Sequence, residues 1–205
     1  MELTLSTSLL WTALLFYSGC FPPQIFTNSR IKSARGMSDA FIWCYFTGYL
    51  LMMLYVFGQD FAYPYQIMVP IETLLMCVLV YQRFYYDGIK KRLLFTGAIM
   101  VSTVLTAAAI PFMLVHGQVI ATVAGWLALI TFSINQVPQL IKIHQSKTTY
   151  GFSFLFVTFT AIAQVCELIG AIATHVPMPT LVMAGRGLLL YVGYIYFFKQ
   201  YRHAQ

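Results

Sequence analysis

The stretch FPPQIFTNSRIKSARGMS at residues 21–38 decides the fold, because its pattern returns as QVPQLIKIHQSKTTYGFS at residues 136–153. A shift of 115 residues places Pro23-Gln24 on Pro138-Gln139 without a gap. Further identical pairs line up at the same shift: Trp11 with Trp126, Leu14 with Leu129, Ser18 with Ser133, Lys32 with Lys147, Gly36 with Gly151, Ser38 with Ser153, Phe41 with Phe156, Pro64 with Pro179, Met68 with Met183 and Tyr81 with Tyr196. Because tryptophan, proline, glutamine, lysine and glycine all recur at one fixed spacing, the chain contains an internal repeat.

The composition of the 205 residues is that of an integral membrane protein. Apolar residues make up 60% of the chain and charged residues 9%, whereas soluble domains carry about 25% charged residues. A bilayer core of about 30 Å requires roughly 20 apolar residues per helix, and a helix satisfies its backbone groups within one segment. We therefore predict seven transmembrane helices, at approximately 4–27, 38–58, 65–85, 93–115, 119–143, 153–174 and 180–199.

The repeat relates helices 1–3 to helices 5–7 and leaves helix 4 without a counterpart. A unit of three spans ends on the side of the membrane opposite to its start, so a second copy placed directly after it would be inverted. One additional span restores the orientation of the first copy. The sequence thus predicts an all-α membrane protein with two parallel three-helix repeats and a linker helix, divided as 1–87, 88–117 and 118–205.

The basic residues predict the orientation in the membrane. Eleven of the twelve follow helices 1, 3, 5 and 7: Arg30, Lys32, Arg35, Arg83, Lys90, Lys91, Arg92, Lys142, Lys147, Lys199 and Arg202. The positive-inside rule then places the carboxyl terminus in the cytoplasm and the amino terminus outside. Topology explains the positive charge, so the expected surroundings are a lipid bilayer and not nucleic acid. The short loops favour a bacterial inner membrane over an endolysosomal membrane.

The two stretches around Pro23-Gln24 and Pro138-Gln139 resemble the paired PQ-loop motif. Each copy continues through a glycine to the serine at the start of the next predicted helix, Ser38 or Ser153. The resemblance covers nearly the whole chain. Thr47-Gly48 after Ser38 is most similar to the cystinosin-like branch of amino-acid carriers, and the SWEET sugar carriers are distant relatives. This resemblance implies a 3+1+3 bundle with a substrate cavity between its two halves.

Pro23, Gln24, Pro138 and Gln139 are candidates for a gate. A proline within a helix removes a backbone hydrogen bond and bends the helix. The glutamine that follows can donate to a freed carbonyl or to a neighbouring helix. Both pairs fall near the same predicted membrane face, so two symmetric hinges there would open and close a passage. The alternative is a fixed bend that packs the helices.

Three ionisable residues, Glu72, Glu167 and Arg186, lie within predicted helices 3, 6 and 7. A charge near the centre of a bilayer costs roughly 2.5–3.5 kcal/mol, and all three are expected at a similar depth below the outer face. None is duplicated, because the repeat pairs each of them with an apolar residue or a glycine. A bound solute lacks two-fold symmetry, so this asymmetry predicts a solute-binding site. A structural ion pair is the alternative.

Polar and aromatic residues accompany these charges. Thr160 and Gln164 share one helical face with Glu167, at i, i+4 and i+7 spacing. Asn135 lies one turn before Gln139 in helix 5 and either lines the same cavity or bridges two helices. With the two tyrosines that the repeat places at matching positions of helix 2, the predicted solute-binding residues are Glu72, Glu167, Arg186, Thr160, Gln164, Asn135, Tyr45 and Tyr49.

The resemblance to cystinosin-like carriers implies an acidic proton-coupling residue in helix 6, seven residues after the motif serine. Thr160 occupies that position in this sequence, two turns before Glu167. A carboxyl group in a cavity of low dielectric can exchange a proton during a transport cycle. Glu167 is therefore a candidate for that role.

The predicted function is transport of a small polar or zwitterionic solute, similar to an amino acid, together with protons. Arg186 would bind a carboxylate, and Glu72 or Glu167 an ammonium group or a proton. Two alternatives stay open: an uncoupled facilitator of sugars or other neutral solutes, and a membrane receptor that moves no solute. The histidines are scattered over loops and tail without nucleophile–base or metal-ligand spacing, so we expect neither an enzyme nor a cofactor.

Overall fold

The computed structural model describes residues 2–88, 93–173 and 178–201, which are helical apart from short connections. Within these ranges, seven helices are long and apolar enough to cross a membrane, which confirms the predicted all-α fold. The helix bounds are α1 Glu2–Ile31, α2 Asp39–Gly58, α3 Tyr63–Asp87, α4 together with α5 Leu93–Ser146, α6 Phe154–Ala173 and α7 Met178–Tyr201.

A kink at His116 divides the 54-residue helical segment into α4 and α5. His116 has φ −128° and ψ 39°, and the membrane-spanning portions are Leu94–Phe112 for α4 and His116–Ser146 for α5. The predicted break at this point is therefore a kink without a loop. The predicted loop residues Lys90, Lys91, Arg92, His175, Val176 and Pro177, together with Arg202, lie outside the described residues.

The connections after α1 and α5 repeat each other in backbone detail. Lys32 and Lys147, which follow these helices, both adopt a left-handed conformation, with φ 48° and 53°. Ser38 and Ser153 then cap α2 and α6, because each Oγ accepts from the amide three residues further on, at 3.0 and 3.4 Å respectively. Each pair is separated by 115 residues, so the sequence repeat is also a repeat of local structure.

Each repeat forms a triple-helix bundle in which the third helix contacts the other two. In the first repeat α3 packs against α1 and α2, and in the second α7 packs against α5 and α6. The two bundles meet where α1 packs against α6 and α2 against α5. The 115-residue shift exchanges these two interfaces, so the bundles are related by a pseudo-two-fold axis between them.

The linker helix α4 packs on the periphery of this bundle against α2. Ser102 of α4 accepts hydrogen bonds from Trp43 Nε1 at 3.0 Å and from the Thr47 hydroxyl at 2.9 Å. Most of the remaining α4 surface is exposed and apolar, as expected for a helix in contact with lipid. The peripheral position fits a linker, and the domain limits at residues 87 and 117 stay a prediction.

The ends of α1, α3, α5 and α7 define the basic face of the bundle, where the two repeats differ in chemistry. Arg83 of α3 is 3% exposed and pairs with Asp39 at 2.7 Å and Asp87 at 2.9 Å. The shift places Phe198 on Arg83 and Phe154 on Asp39, and these two rings lie 5.3 Å apart between centroids. An ion pair in one repeat thus corresponds to an aromatic pair in the other.

Candidate functional site

The glutamine of the first Pro-Gln pair contacts the loop of the opposite repeat. Gln24 accepts a hydrogen bond from the Ser153 amide at 2.8 Å and donates to the Gly151 carbonyl at 2.9 Å. Its amide also donates to Asn28, one turn further along α1, at 2.8 Å. The predicted partners were a carbonyl freed by the proline or a neighbouring helix, and the structure gives neither across the repeats, because the partner is the loop before α6.

Gln139 of the second repeat forms the symmetric pair of contacts with the first. It accepts from the Ser38 amide at 2.7 Å and donates to the Gly36 carbonyl at 3.0 Å. Both glutamine side chains are fully buried. We refer to the four hydrogen bonds of Gln24 and Gln139 across the repeats as the glutamine clasp, which ties the two bundles together at the basic face.

Residues related by the shift also contact each other directly beside the clasp. Gly36 lies against Gly151, so close that a Cβ added to Gly36 would overlap the Gly151 backbone. Gly151 has φ +77°, which favours glycine as well. Phe41 contacts Phe156, with 6.2 Å between ring centroids. Equivalent residues can contact each other only at the pseudo-two-fold axis, so the basic face is closed on the axis itself.

Aromatic side chains fill the axis between the clasp and the centre of the bundle. The rings of Phe41 and Tyr45 stack at 5.2 Å, and Phe21 and Phe156 meet edge to face at 6.0 Å. These rings belong to a cluster that we call the aromatic plug, which consists of Phe21, Phe41, Tyr45, Phe152, Phe156, Tyr191 and Tyr194. Each side chain of the plug is at most 5% exposed.

A cavity lies beyond the plug, on the side of the bundle away from the basic face. Its volume is about 590 Å³ including the part open to the outside. Helices α1–α3 of the first repeat and α5–α7 of the second all contribute to its wall. The lining residues are Leu14, Tyr17, Tyr45, Tyr49, Met52, Tyr65, Val69, Glu72, Phe132, Gln136, Gln164, Glu167, Met183 and Arg186. The three predicted intramembrane charges therefore share one cavity.

The carboxylate of Glu167 bridges the two repeats. One of its oxygens accepts from the Tyr17 hydroxyl at 2.7 Å and the other from the Tyr65 hydroxyl at 3.2 Å. Glu167 belongs to α6 of the second repeat, whereas both tyrosines belong to the first. Any relative movement of the two bundles in this region must strain or break these hydrogen bonds.

Glu72, in contrast, is held within its own repeat. Its Oε1 accepts from the Ser18 hydroxyl of α1 at 3.4 Å, and the same hydroxyl lies 3.7 Å from Met68 Sδ. Glu72 is 3% exposed. The longer hydrogen bond leaves the Glu72 carboxylate with more free accepting capacity than that of Glu167.

Arg186 lies on the opposite wall and donates to the backbone carbonyl of Phe132. Within the described ranges, no carboxylate oxygen approaches its guanidinium to within 4.0 Å. The structural ion pair that the sequence left open is therefore not formed, because a carbonyl of α5 and not a glutamate receives the guanidinium. Arg186 Nε is buried and has no hydrogen-bond partner.

Gln164 supplies a second unpartnered polar atom to the same wall. Its side chain is 7% exposed, and Oε1 accepts no hydrogen bond. The amide lies directly against Gly187 of α7, where a Cβ would overlap three of its atoms. Gln164 Oε1 and Arg186 Nε are thus an acceptor and a donor on cavity-lining residues, each without a partner within the described ranges.

Some predicted site residues lie away from the cavity. Thr160 is buried and donates to the Phe156 carbonyl of its own helix at 2.7 Å, and Asn135 is fully buried with neither polar side-chain atom partnered. Neither lines the cavity. Pro23 and Pro138 lie inside α1 and α5, near the clasp. The binding and hinge roles of these residues stay predictions.

Eight lining residues were not among the predicted ones, and three of these carry a polar side chain: Tyr17, Tyr65 and Gln136. The repeat contains a signal for two of them. The shift pairs Tyr17 with Phe132 and Gln136 with Phe21, so these two carry a polar group where their counterparts are apolar. Tyr65 is paired with Thr180, which also carries a hydroxyl, so the same asymmetry does not identify Tyr65.

Comparison with known families agrees with the internal repeat. A family model described as PQ loop repeat matches residues 5–65 and again residues 120–180, together more than half of the chain. The two matches differ by 115 residues at both ends, the same shift that aligns the motifs. No curated protein matches the chain.

Proposed function

The chain belongs to the PQ-loop repeat family of membrane proteins, and from this premise we propose that it transports a small zwitterionic solute, similar to an amino acid, together with protons. The observation that carries the proposal is the cavity between the two repeats. It is lined from both bundles and contains two carboxyl groups and one guanidinium inside an otherwise apolar membrane domain. Such groups are costly within a membrane and are associated with solute or ion pathways.

The unpartnered atoms of the cavity suit a zwitterion. Arg186 retains donor capacity beyond its bond to the Phe132 carbonyl, and a guanidinium binds carboxylates in a fork geometry. Gln164 Oε1 and the carboxylates of Glu72 and Glu167 can accept from an ammonium group. A solute that makes these contacts replaces the hydrogen bonds the buried groups lack.

Alternating access would operate by rocking one bundle against the other. In the present conformation the glutamine clasp and the aromatic plug close the basic face, while the cavity lies on the other side. Separation of the loops at Gly36 and Gly151 would break the clasp and connect the cavity to the basic face. The prolines that precede both glutamines each remove a backbone hydrogen bond from their helix at this point, which supports a hinge or gating role for Pro23 and Pro138.

Proton coupling is assigned to Glu167 in this proposal. Its two hydroxyl partners both lie in the opposite repeat, so a proton on the carboxylate would change how strongly the repeats are held together beside the cavity. The basic face is assigned to the cytoplasm by the positive-inside rule. A bacterial inner membrane is the proposed location.

Uptake into proteoliposomes tests the proposal directly. We expect radiolabelled amino acids to accumulate in response to an inward proton gradient, and Glu167→Gln to abolish the effect of the gradient while exchange of solute continues. Arg186→Gln should abolish uptake both with and without the proton gradient. Uptake of a sugar that ignores the gradient would favour the facilitator instead, and no flux of any amino acid would contradict the proposal.

A further inference from the structure

The cavity has two chemically different walls, and we propose that the solute lies across the pseudo-two-fold axis with its α-carboxylate end on the second repeat and its side chain toward Glu72. Glu72 then selects solutes whose side chain carries a positive charge. This inference rests on the proposed transport of an amino-acid-like solute and adds the direction in which the solute lies and the residue that selects it.

The repeat itself places the two walls opposite each other. The 115-residue shift pairs Tyr49 with Gln164 and Glu72 with Gly187. In the first repeat a carboxyl group from α3 enters the cavity beside the tyrosine of α2. In the second repeat Gly187 of α7 has no side chain to occupy the equivalent space, and the amide of Gln164 from α6 fills it. A carboxylate and an amide therefore occupy equivalent places on the two sides of the axis.

The second wall contains two buried polar atoms that have no hydrogen-bond partner among the described residues. Gln164 Oε1 is an acceptor and Arg186 Nε is a donor, and both lie on helices of the second repeat. Buried polar atoms in native proteins are nearly always paired, and an unpaired one calls for a partner that is missing. The carboxylate and ammonium of one amino-acid head group supply an acceptor for Arg186 and a donor for Gln164.

The first wall presents Glu72, whose hydrogen bond to Ser18 is long at 3.4 Å. Glu167 is less available, because each of its oxygens already accepts from a tyrosine. The head group occupies Arg186 and Gln164 on the second wall, so the carboxyl group that faces the other end of the solute is that of Glu72. A positive charge on the solute side chain would complement that carboxyl group.

Gly187 is a positioning residue in this arrangement. A Cβ at position 187 would overlap Oε1, Nε2 and Cδ of Gln164. Any larger residue must displace the amide from the wall while leaving Arg186 and Glu72 in place. The glycine thus acts on the head group through Gln164 and not through contact with the solute.

Binding of L-arginine and L-citrulline to the purified full-length protein tests the proposal, because the two differ in side-chain charge at nearly equal size. We expect the wild-type protein to bind arginine at least about tenfold more tightly than citrulline, the effect of one charged hydrogen bond. Glu72→Gln should bring the ratio of the two dissociation constants close to one, because it weakens the binding of arginine more than that of citrulline. Arg186→Gln should weaken both ligands alike.

The conservative variant Glu72→Asp is the matched control and should retain the preference for arginine. If Glu72→Gln does not yield a monodisperse protein in detergent, Glu72→Met, of similar volume and without a buried amide, takes its place. An unchanged preference in the neutral variants, or an equal loss of both ligands, would overturn the proposal. If the wild type binds neither these two nor any other amino acid, the proposed function itself fails.

Gly187 is tested by a double-mutant cycle with Gln164. Gly187→Ala should weaken the binding of arginine and of citrulline by the same factor, about tenfold, so that the ratio of their dissociation constants is unchanged. Gln164→Ala should have a similar effect, and the double variant should be no weaker than Gln164→Ala alone. Additive losses in the double variant would show that Gly187 acts by another route and would overturn this part of the proposal.

Discussion

The glutamine clasp and the cavity obey opposite rules of symmetry, although both lie on the same axis. At the clasp, every residue that makes a cross-repeat contact is matched 115 positions away by an identical residue making the same contact. In the cavity, Glu72, Glu167 and Arg186 are matched by Gly187, Met52 and Ile71. Duplication is retained in the four hydrogen bonds of the clasp and is lost in the cavity, where a solute is proposed to bind.

This difference separates the residues that hold and move the scaffold from those that recognise a solute. Because each repeat makes the same contacts at the clasp, the two bundles can separate there symmetrically. A solute with unlike ends requires unlike walls. Substitutions at four places in the molecule test this difference, and the expected loss of stability decreases from the first to the last.

The largest effect is expected at the glycine contact on the axis. Gly36→Ala places a methyl group into the Gly151 backbone, and Gly151→Ala adds an unfavourable φ of +77°. Because backbone cannot move aside cheaply, we expect each to cost about 3 kcal/mol or more, measured as a lower thermal unfolding midpoint in detergent. Gly88→Ala, with φ +80° and open space around it, isolates the effect of φ. Equal losses in Gly88→Ala and Gly151→Ala would show that the contact itself contributes nothing.

The clasp glutamines should have the next largest effect. Gln24→Ala leaves a buried amide and a buried carbonyl without their glutamine partner, at a cost of about 1–3 kcal/mol. Gln139→Ala does the same to an amide and a carbonyl that are partly buried, so its cost should lie at the lower end of this range. Gln24→Ala should cost more, because Gln24 also donates to Asn28 at 2.8 Å. Thermal unfolding gives the loss of stability, and solute exchange gives the effect on transport. A neutral result for either variant would contradict the assigned contact.

The tyrosines on Glu167 should have a smaller effect, and the two should differ from each other. Tyr17→Phe removes a hydrogen bond of 2.7 Å and Tyr65→Phe one of 3.2 Å. Hydrogen bonds to a charged group contribute about 1.5–3 kcal/mol, so Tyr17→Phe should reach this range and Tyr65→Phe should fall below it. Thermal unfolding at fixed pH provides the comparison. A larger loss for Tyr65→Phe would reverse the assignment of the stronger donor.

The smallest effect is expected at the ion pair of the basic face. The Asp39 side chain is 41% exposed and Arg83 retains Asp87 at 2.9 Å, so Asp39→Asn should cost less than about 1 kcal/mol. The loss should shrink further at high salt because an exposed pair is screened. Phe154→Ala at the equivalent position of the second repeat should show no such dependence on salt. A salt-independent loss in Asp39→Asn would rule out the electrostatic explanation.

Hydropathy, the repeat and the proline spacing were sufficient to predict the fold. Apolar segments of membrane length that end in turn residues and charges indicate membrane-spanning helices. The shift of 115 residues then identifies which helices are equivalent. The loop predicted at His116-Gly117 is a kink, because α4 and α5 follow one another without intervening residues. Hydropathy detects a polar interruption and cannot distinguish a kink from a loop.

The cavity was predicted in part. Burial of charge within a membrane requires a protein environment, so Glu72, Glu167 and Arg186 could be expected to face the bundle interior. The partners of these charges could not be predicted, because Tyr17 and Glu167 are 150 residues apart in sequence and their meeting depends on how α1 packs on α6. For the same reason Thr160, on the predicted face of α6, proves to donate to its own backbone.

Distance measurement across the basic face tests the central claim most directly. Arg35 and Tyr150 are equivalent positions next to the glycine contact, and both side chains are largely exposed. Cys77 and Cys166 are replaced by serine, and spin labels are attached at Arg35→Cys and Tyr150→Cys. Pulsed electron paramagnetic resonance then measures the distance between the two loops. We predict a short distance in the resting protein and a second, longer one when solute and a proton gradient drive transport, with the longer one favoured by Gln24→Ala even without solute. A single unchanged distance while transport proceeds would contradict the claim that the repeats separate at the clasp.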